Sequence, residues 1–188
     1  MFLTQDLLHG AYKFMWDHVT KWLCHGIGEE ELDCHFKAQP HLGFQNFTNG
    51  LSKISQVTGR EHQTYLQFII AVIAGHENVD QKVLVATQSL ADYICMAHYP
   101  PISETDLEQM EALLDNFHKL KFIFIQNGSH ESKNHLRIPK LHTLVHYIEN
   151  SYLLGIPNNF STKTPESLHI PMCKEPYRAS NAILTAKF

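Results

Sequence analysis

The stretch Ser103–Leu120, SETDLEQMEALLDNFHKL, decides the fold class of this chain. Ser103 followed three residues later by Asp106 offers an N-cap with an acid placed to answer it, a pattern that marks a helix start. Behind it, Leu107, Met110, Leu113, Leu114, Phe117 and Leu120 recur at helical spacing and form one apolar face. Two similar faces lie upstream. Tyr65, Leu66, Ile69, Ile70 and Ile73 run from Glu61 to Ala74 with Gly75 as the stop, and Val79, Val83, Leu84, Leu90, Ala91 and Ile94 make another, broken before Pro100 and Pro101. Three amphipathic helices in succession predict a bundle, and no segment alternates with the period of a strand.

The same reading extends to both ends. Leu3, Leu7, Leu8, Ala11, Met15, Val19, Trp22 and Leu23 predict a helix over about residues 3–25, ended near Gly26 and Gly28. Residues 26–60 have Gly, Pro and Asn punctuation without a period, and read as loop with one or two short helices. Lys121–Gln126 continues the preceding helix without a breaker, and Asn127-Gly128-Ser129 ends it. Residues 140–153 form a further helix between Pro139 and Gly155. Thr164-Pro165-Glu166 starts the last one, with Thr164 as N-cap and Pro at the first helical position. Pro171 falls inside that helix and predicts that it is short or kinked.

With 188 residues and 44% apolar content the chain can bury one core. No apolar run is long enough to span a bilayer, and the N-terminus lacks the pattern of a secretory signal, so an intracellular, non-membrane protein is expected. Cys24, Cys34, Cys95 and Cys173 form no CxxC pair and read as free thiols. The net charge of −4 hides an asymmetry. Residues 1–132 hold 16 acidic and 8 basic side chains, a net of −8, whereas residues 133–188 hold 3 and 7, a net of +4. Composition thus divides the chain into 1–132, a helical domain, and 133–188, a basic C-terminal segment where attraction to phosphate would concentrate.

That segment is also the densest in chemistry: PKLHTLVHYIENSYLLGIPNNFSTKTPESLHIPMCKEPYRASN, residues 139–181. Its Pro-Lys-x-His-x-x-x-His-Tyr stretch, Gly155, the Asn158–Thr164 linker, Glu166–His169 and the Arg178–Asn181 ending closely resemble the C-terminal catalytic segment of the fungal Plavaka transposases, relatives of the Kyakuja-Dileera-Zisupton group. Asp6-Leu7-Leu8-His9 followed by Gly10–Phe14 resembles that family's Asp-x-Leu-His stretch, and Thr58–His62 leading to Ala74-Gly75 resembles its middle motif, so the likeness runs from about Asp6 to Asn181.

The resemblance implies a helical insertion-domain bundle plus the C-terminal helices of a truncated RNase H-like transposase. In Plavaka-like and hAT-like enzymes the Glu opening the last helix looks like the third carboxylate of an Asp-Asp-Glu triad. Glu166 takes that place here and Asp6 that of the second Asp, together holding Mg²⁺ or Mn²⁺ for DNA strand cleavage and transfer at transposon ends. The first Asp belongs to an RNase H strand far upstream in the family, and this chain starts five residues before Asp6. The sheet is therefore expected to be missing, and with it independent catalysis. A nuclear DNA-binding protein, with a homo-oligomer among its candidate assemblies, is what the family implies.

The residues by themselves leave other readings open. An acid in a first helical turn favours the ionised form a metal needs, yet acids are enriched there simply because they stabilise helices. His142 and His146, four apart on one helix face, could bind zinc with His135 and His169, although fourteen histidines make such pairs common. Cys24-His25 and Cys34-His35 match no zinc signature. His9, His142 and His169 could meet a phosphate or a flipped base, and packed or surface imidazoles explain them as well. Lys133, Arg137, Lys140, Lys163, Lys174 and Arg178 are candidate phosphate contacts, with Lys140, Lys174 and Arg178 the preferred DNA-binding set. A non-catalytic helical module binding DNA or a protein partner, and a small metal-dependent hydrolase around His142 and His146, are the rival functions.

Overall fold

A computed structural model describes residues 5–39, 47–54, 57–99, 102–130 and 136–185. Among them there is no strand, and the chain is mainly α. Its first helical rod occupies the centre of the core. The rod winds as π-helix over Leu8–Tyr12 and Met15–Thr20 before becoming α-helix α1 (Lys21–Ile27). Leu7, Ala11, Phe14, Met15, Val19, Trp22 and Leu23 are all buried. Phe14 meets Phe117 edge to face, Trp16 meets Tyr65 in the same way, and Trp22 lies against Phe124. The wide turns have local causes. Tyr12 N–H reaches back five residues to the Leu7 carbonyl, and the Thr20 hydroxyl, which lies 2.7 Å from that of Tyr65, is 3.2 Å from the Met15 carbonyl. Gly28, at φ 108°, ends the rod, in a conformation that side chains rarely adopt.

Packed around the rod are α2 (Glu29–Lys37), α3 (Gly59–Ile73), α4 (Gln81–Met96) and α5 (Glu104–Leu120). Helix α2 is one of the short helices expected within 26–60, and buried Asp33 on it collects Leu51 N–H at 2.6 Å, Ser52 N–H at 3.1 Å and the Ser52 hydroxyl at 2.5 Å. Helices α3 and α5 both start with reciprocal capping boxes, Thr58 with Glu61 and Ser103 with Asp106. Helices α4 and α5 lie side by side, joined midway by a 2.7 Å bond from the Asn116 amide to the Ser89 hydroxyl.

Local signals fail where long-range contacts intervene. The run from Lys121 does not simply extend α5: a turn at Lys121 and Phe122, with three-residue bonds to Phe124 and Ile125, separates it from α6 (Ile123–Gln126), which buries Ile123 and Phe124. The helix expected over 140–153 is two, α7 (Pro139–Thr143) and α8 (Val145–Leu154), parted at Leu144. Buried Tyr93 on α4 donates its hydroxyl to the Leu144 carbonyl at 2.6 Å, and the same carbonyl accepts the Tyr147 N–H at 3.2 Å, a three-residue step in place of the α-helical four. A 3₁₀ turn, Pro157–Phe160, then leads to α9 (Lys163–His169), a π-turn (Ile170–Lys174) and α10 (Glu175–Thr185).

Thr164 is not the N-cap of that last helix. Thr162 is, and the helix begins at Lys163, because the Thr162 side chain is held from outside the helix. Pro171 shortens α9 as expected, but the chain does not break there. It absorbs the missing N–H in the π-turn, where Glu175 N–H bonds the Ile170 carbonyl. From Thr164 to Ser180 every residue is exposed, so these residues form a helical arm standing off the bundle. Leu136, Leu141, Leu144 and Tyr147 share one apolar core with the helices upstream. The compositional boundary near residue 132, together with Lys133, His135, Pro100 and Pro101, lies outside the described residues.

Candidate functional site

Asp6 stands just before the first helical turn, where its carboxylate accepts the His9 backbone N–H at 2.8 Å. That bond fixes the His9 ring beside it, with Nδ1 2.5 Å from Asp6 Oδ2. From the far end of the sequence, Thr162 brings two more donors to Asp6: its N–H to Oδ1 at 2.7 Å and its hydroxyl to Oδ2 at 2.9 Å. The start of α9 is thereby held over the first rod. Glu166 Oε1 comes to rest 3.0 Å from His9 Nε2. Asp6 and Glu166, separated by 160 positions, thus face opposite edges of one imidazole.

The surroundings of this carboxylate pair are polar and tightly specified. Tyr147 on α8 donates its hydroxyl to the Asp6 backbone carbonyl at 2.7 Å, and the Asn150 amide donates to Gln5 at 2.7 Å. Lys163 Nζ donates to Gln63 Oε1 at 2.8 Å, tying α9 to α3. Under it, the Tyr12 ring stacks on His62 at 5.7 Å and leans on His98 at 5.3 Å. Burial pushes the Asp6 carboxyl upward, but hydrogen bonds from Thr162 and His9 outweigh it and hold the group below the usual carboxylate range. Burial pushes His62 down to about 4, helped by Lys13, and lowers His98, helped by Lys163. Both are neutral packing groups near neutral pH, which removes them as acid catalysts there.

A divalent ion would need open oxygens in near-octahedral or looser array. Here both Asp6 oxygens are occupied, by the His9 N–H and by the N–H and hydroxyl of Thr162, and the His9 ring fills the space between the two carboxylates. The residues as arranged do not fit Mg²⁺ or Mn²⁺. No group of three or more His, Cys, Asp or Glu among the described residues is disposed to hold a metal ion.

The other expected site residues do not gather here. His142 and His146 do meet, ring edge to ring face at 5.3 Å, and His146 lies 3.7 Å from Glu149. His169 is exposed on the arm. Lys140 is on the bundle, where its ammonium lies 2.9 Å from Asp17 Oδ2 while Lys13 lies 3.3 Å from Asp17 Oδ1. Burial raises the Asp17 carboxyl, but the two lysines outweigh it and hold it low. Two cations on one carboxylate leave a positive charge there. Lys174 and Arg178 sit on the exposed arm, on other elements from Lys140. Sequence reasoning did not single out Thr162, Gln63 or Asn150. Thr162 lay in the linker between the motifs, and nothing local favours it over Ser161 or over Thr164, which has Pro165 behind it.

No helix of the described residues is long and apolar enough to cross a membrane. No protein-family model, curated protein or solved structure matches this chain.

Proposed function

We propose that this chain is a transposase-derived DNA-binding protein, built on the helical insertion bundle and Glu helix of a Plavaka-like enzyme, that does not cleave DNA by itself. The observation that carries the reading is the meeting of Asp6 and Glu166 across His9. The motif resemblance singles out those two carboxylates, and residues 160 positions apart need not share a site. Ancestral strand cleavage and transfer would use Mg²⁺ or Mn²⁺ with a further carboxylate and a sheet to fix it, and such a protein would work on nuclear DNA at transposon ends. The activity proposed for the described residues, which hold no strand, is binding, through Lys140 on the bundle and Lys174 and Arg178 on the arm.

Fluorescence anisotropy of the chain with a labelled 30-base-pair duplex tests this. Three phosphate contacts predict a loss of affinity of roughly 40-fold between 50 and 200 mM salt, and the triple variant Lys140→Gln, Lys174→Gln, Arg178→Gln should flatten the dependence. No binding at low salt rejects the DNA reading. A second reading, association with a protein partner or with another copy, is favoured by the exposed Leu168, Ile170, Met172 and Tyr177 on the arm. It predicts a larger species by light scattering that persists at 500 mM salt.

A further inference from the structure

The first rod presents a line of side chains at intervals of four, Lys13, Asp17, Lys21 and His25, with Asp17 the least exposed of them. An α-helix takes about 3.6 residues per turn and drifts such positions one way, whereas π-winding, bonded five residues back, drifts them the other. The rod is π over Met15–Thr20 and α beyond it, so the four stay close to one line. Helix α7 lies against the start of the rod and adds Lys140, whose ammonium is 2.9 Å from Asp17 Oδ2, while Lys13 is 3.3 Å from Oδ1. Half-buried His18 ties Lys21 to the same side. Burial opposes its protonation most, and Lys140 and Lys21 oppose it further while Asp17 favours it. Three positive charges and one negative give this face +2, in contrast to the −8 of residues 1–132.

We propose that Lys13, Lys21 and Lys140 form one face of the bundle that grips the phosphate backbone of a nucleic acid. Asp17 holds Lys13 and Lys140 converged, so two of the three cations are ordered before a phosphate arrives. Charges spread along a line match a polymer that repeats its negative charge better than they match a single ion. Among the described residues, none of the large apolar side chains that are exposed lies on the rod, so the face offers charge and no apolar anchor for a protein. This inference rests on the nucleic-acid reading above and extends its grip on the bundle from Lys140 to three lysines. Five phosphate contacts in place of three raise the expected loss of affinity between 50 and 200 mM salt from roughly 40-fold to roughly 500-fold.

The test titrates the intact chain, across a salt series, with two labelled probes: a 30-base-pair DNA duplex and a 30-nucleotide oligouridylate. The double variant Lys13→Gln, Lys21→Gln should lower the slope of log affinity against log salt by about 1.8 on the duplex, or about 1.4 on the single strand. A control, Lys82→Gln with Lys119→Gln, removes the same charge from exposed positions on α4 and α5 and should leave both slopes unchanged. Equal effects of the two double variants overturn the proposal, because bulk charge would then explain binding. So does a wild-type slope in Lys13→Gln, Lys21→Gln, which would leave the DNA reading to Lys140, Lys174 and Arg178. Binding of oligouridylate alone, weakened by the first pair and not by the second, supports the face while rejecting the DNA reading. Binding of neither probe rejects both.

Discussion

The hydroxyl of Tyr147 passes so close to Gly10 that a β-carbon on residue 10 would collide with it, and it ends on the carbonyl of Asp6 at 2.7 Å. One contact thus joins α8 to the first π-turn and sets where the Asp6 carboxylate stands. Tyr147→Phe should cost about 0.5–1.5 kcal/mol, the net worth of one hydrogen bond, since the Asp6 carbonyl keeps the Gly10 N–H at 2.9 Å. Gly10→Ala should destabilise by collision. The double variant should be more stable than the sum of the two predicts, since removing the hydroxyl makes room for the methyl. Urea unfolding of the four proteins measures that coupling, and strict additivity would contradict the packing described.

Asp33 should be the costliest single acid to remove. Its carboxylate serves two backbone N–H groups and a hydroxyl in residues 51–52, and the side chain is buried. Asp33→Ala leaves those donors without an acceptor and should lose about 2–4 kcal/mol. Limited proteolysis should then cut first between residues 47 and 54.

Acid unfolding should proceed in two windows. His62 has a folded value of about 4 against 6.5 for the free group, because burial opposes its charge. Its contribution is complete above pH 6.5, declines as pH falls, and is lost by about pH 4, for a total on the order of 3 kcal/mol. Asp6 is depressed below 3.8, so its contribution is complete above that pH and disappears only as pH falls through its lower folded value. His62→Phe, which keeps a ring against Tyr12, should shrink the first window to the smaller part owed to His98, His18 and His118, which burial also lowers, and spare the second. Stability measured by urea titration from pH 8 to pH 3 distinguishes them.

Thiol chemistry should divide the cysteines two and two. Cys34 and Cys173 are exposed, whereas Cys24 and Cys95 are partly covered. Burial pushes the Cys24 thiol up to about 11 and raises that of Cys95 as well. A disulfide reagent at pH 8 should therefore titrate two groups quickly and two slowly, all four becoming fast in denaturant.

What the sequence revealed is local, and what it hid is long-range. The starts of α3 and α5 were legible because period and capping pattern are written within a few residues of each other. The break at Leu144 was not, since it depends on a tyrosine 51 positions earlier. Thr164 has the better local pattern for an N-cap, with Pro165 behind it, yet Asp6 selects Thr162 from the other end of the chain. The two carboxylates were visible through motif resemblance alone. That His9, one of fourteen histidines, would join them was not, because nothing in its neighbours distinguishes a bridging imidazole from a surface one.

The exposed arm behaves as a lever with a short fulcrum. Residues 163–180 span about 27 Å at the helical rise, while among the described residues the bonds that fix their direction lie at the near end, on Thr162, Lys163 and Glu166. A tilt of about 10° at that end carries Arg178 about 4 Å sideways. Small changes around Asp6 are magnified at the tip, so a partner gripping Lys174 and Arg178 would sense the state of the Asp6–His9–Glu166 bridge without touching it.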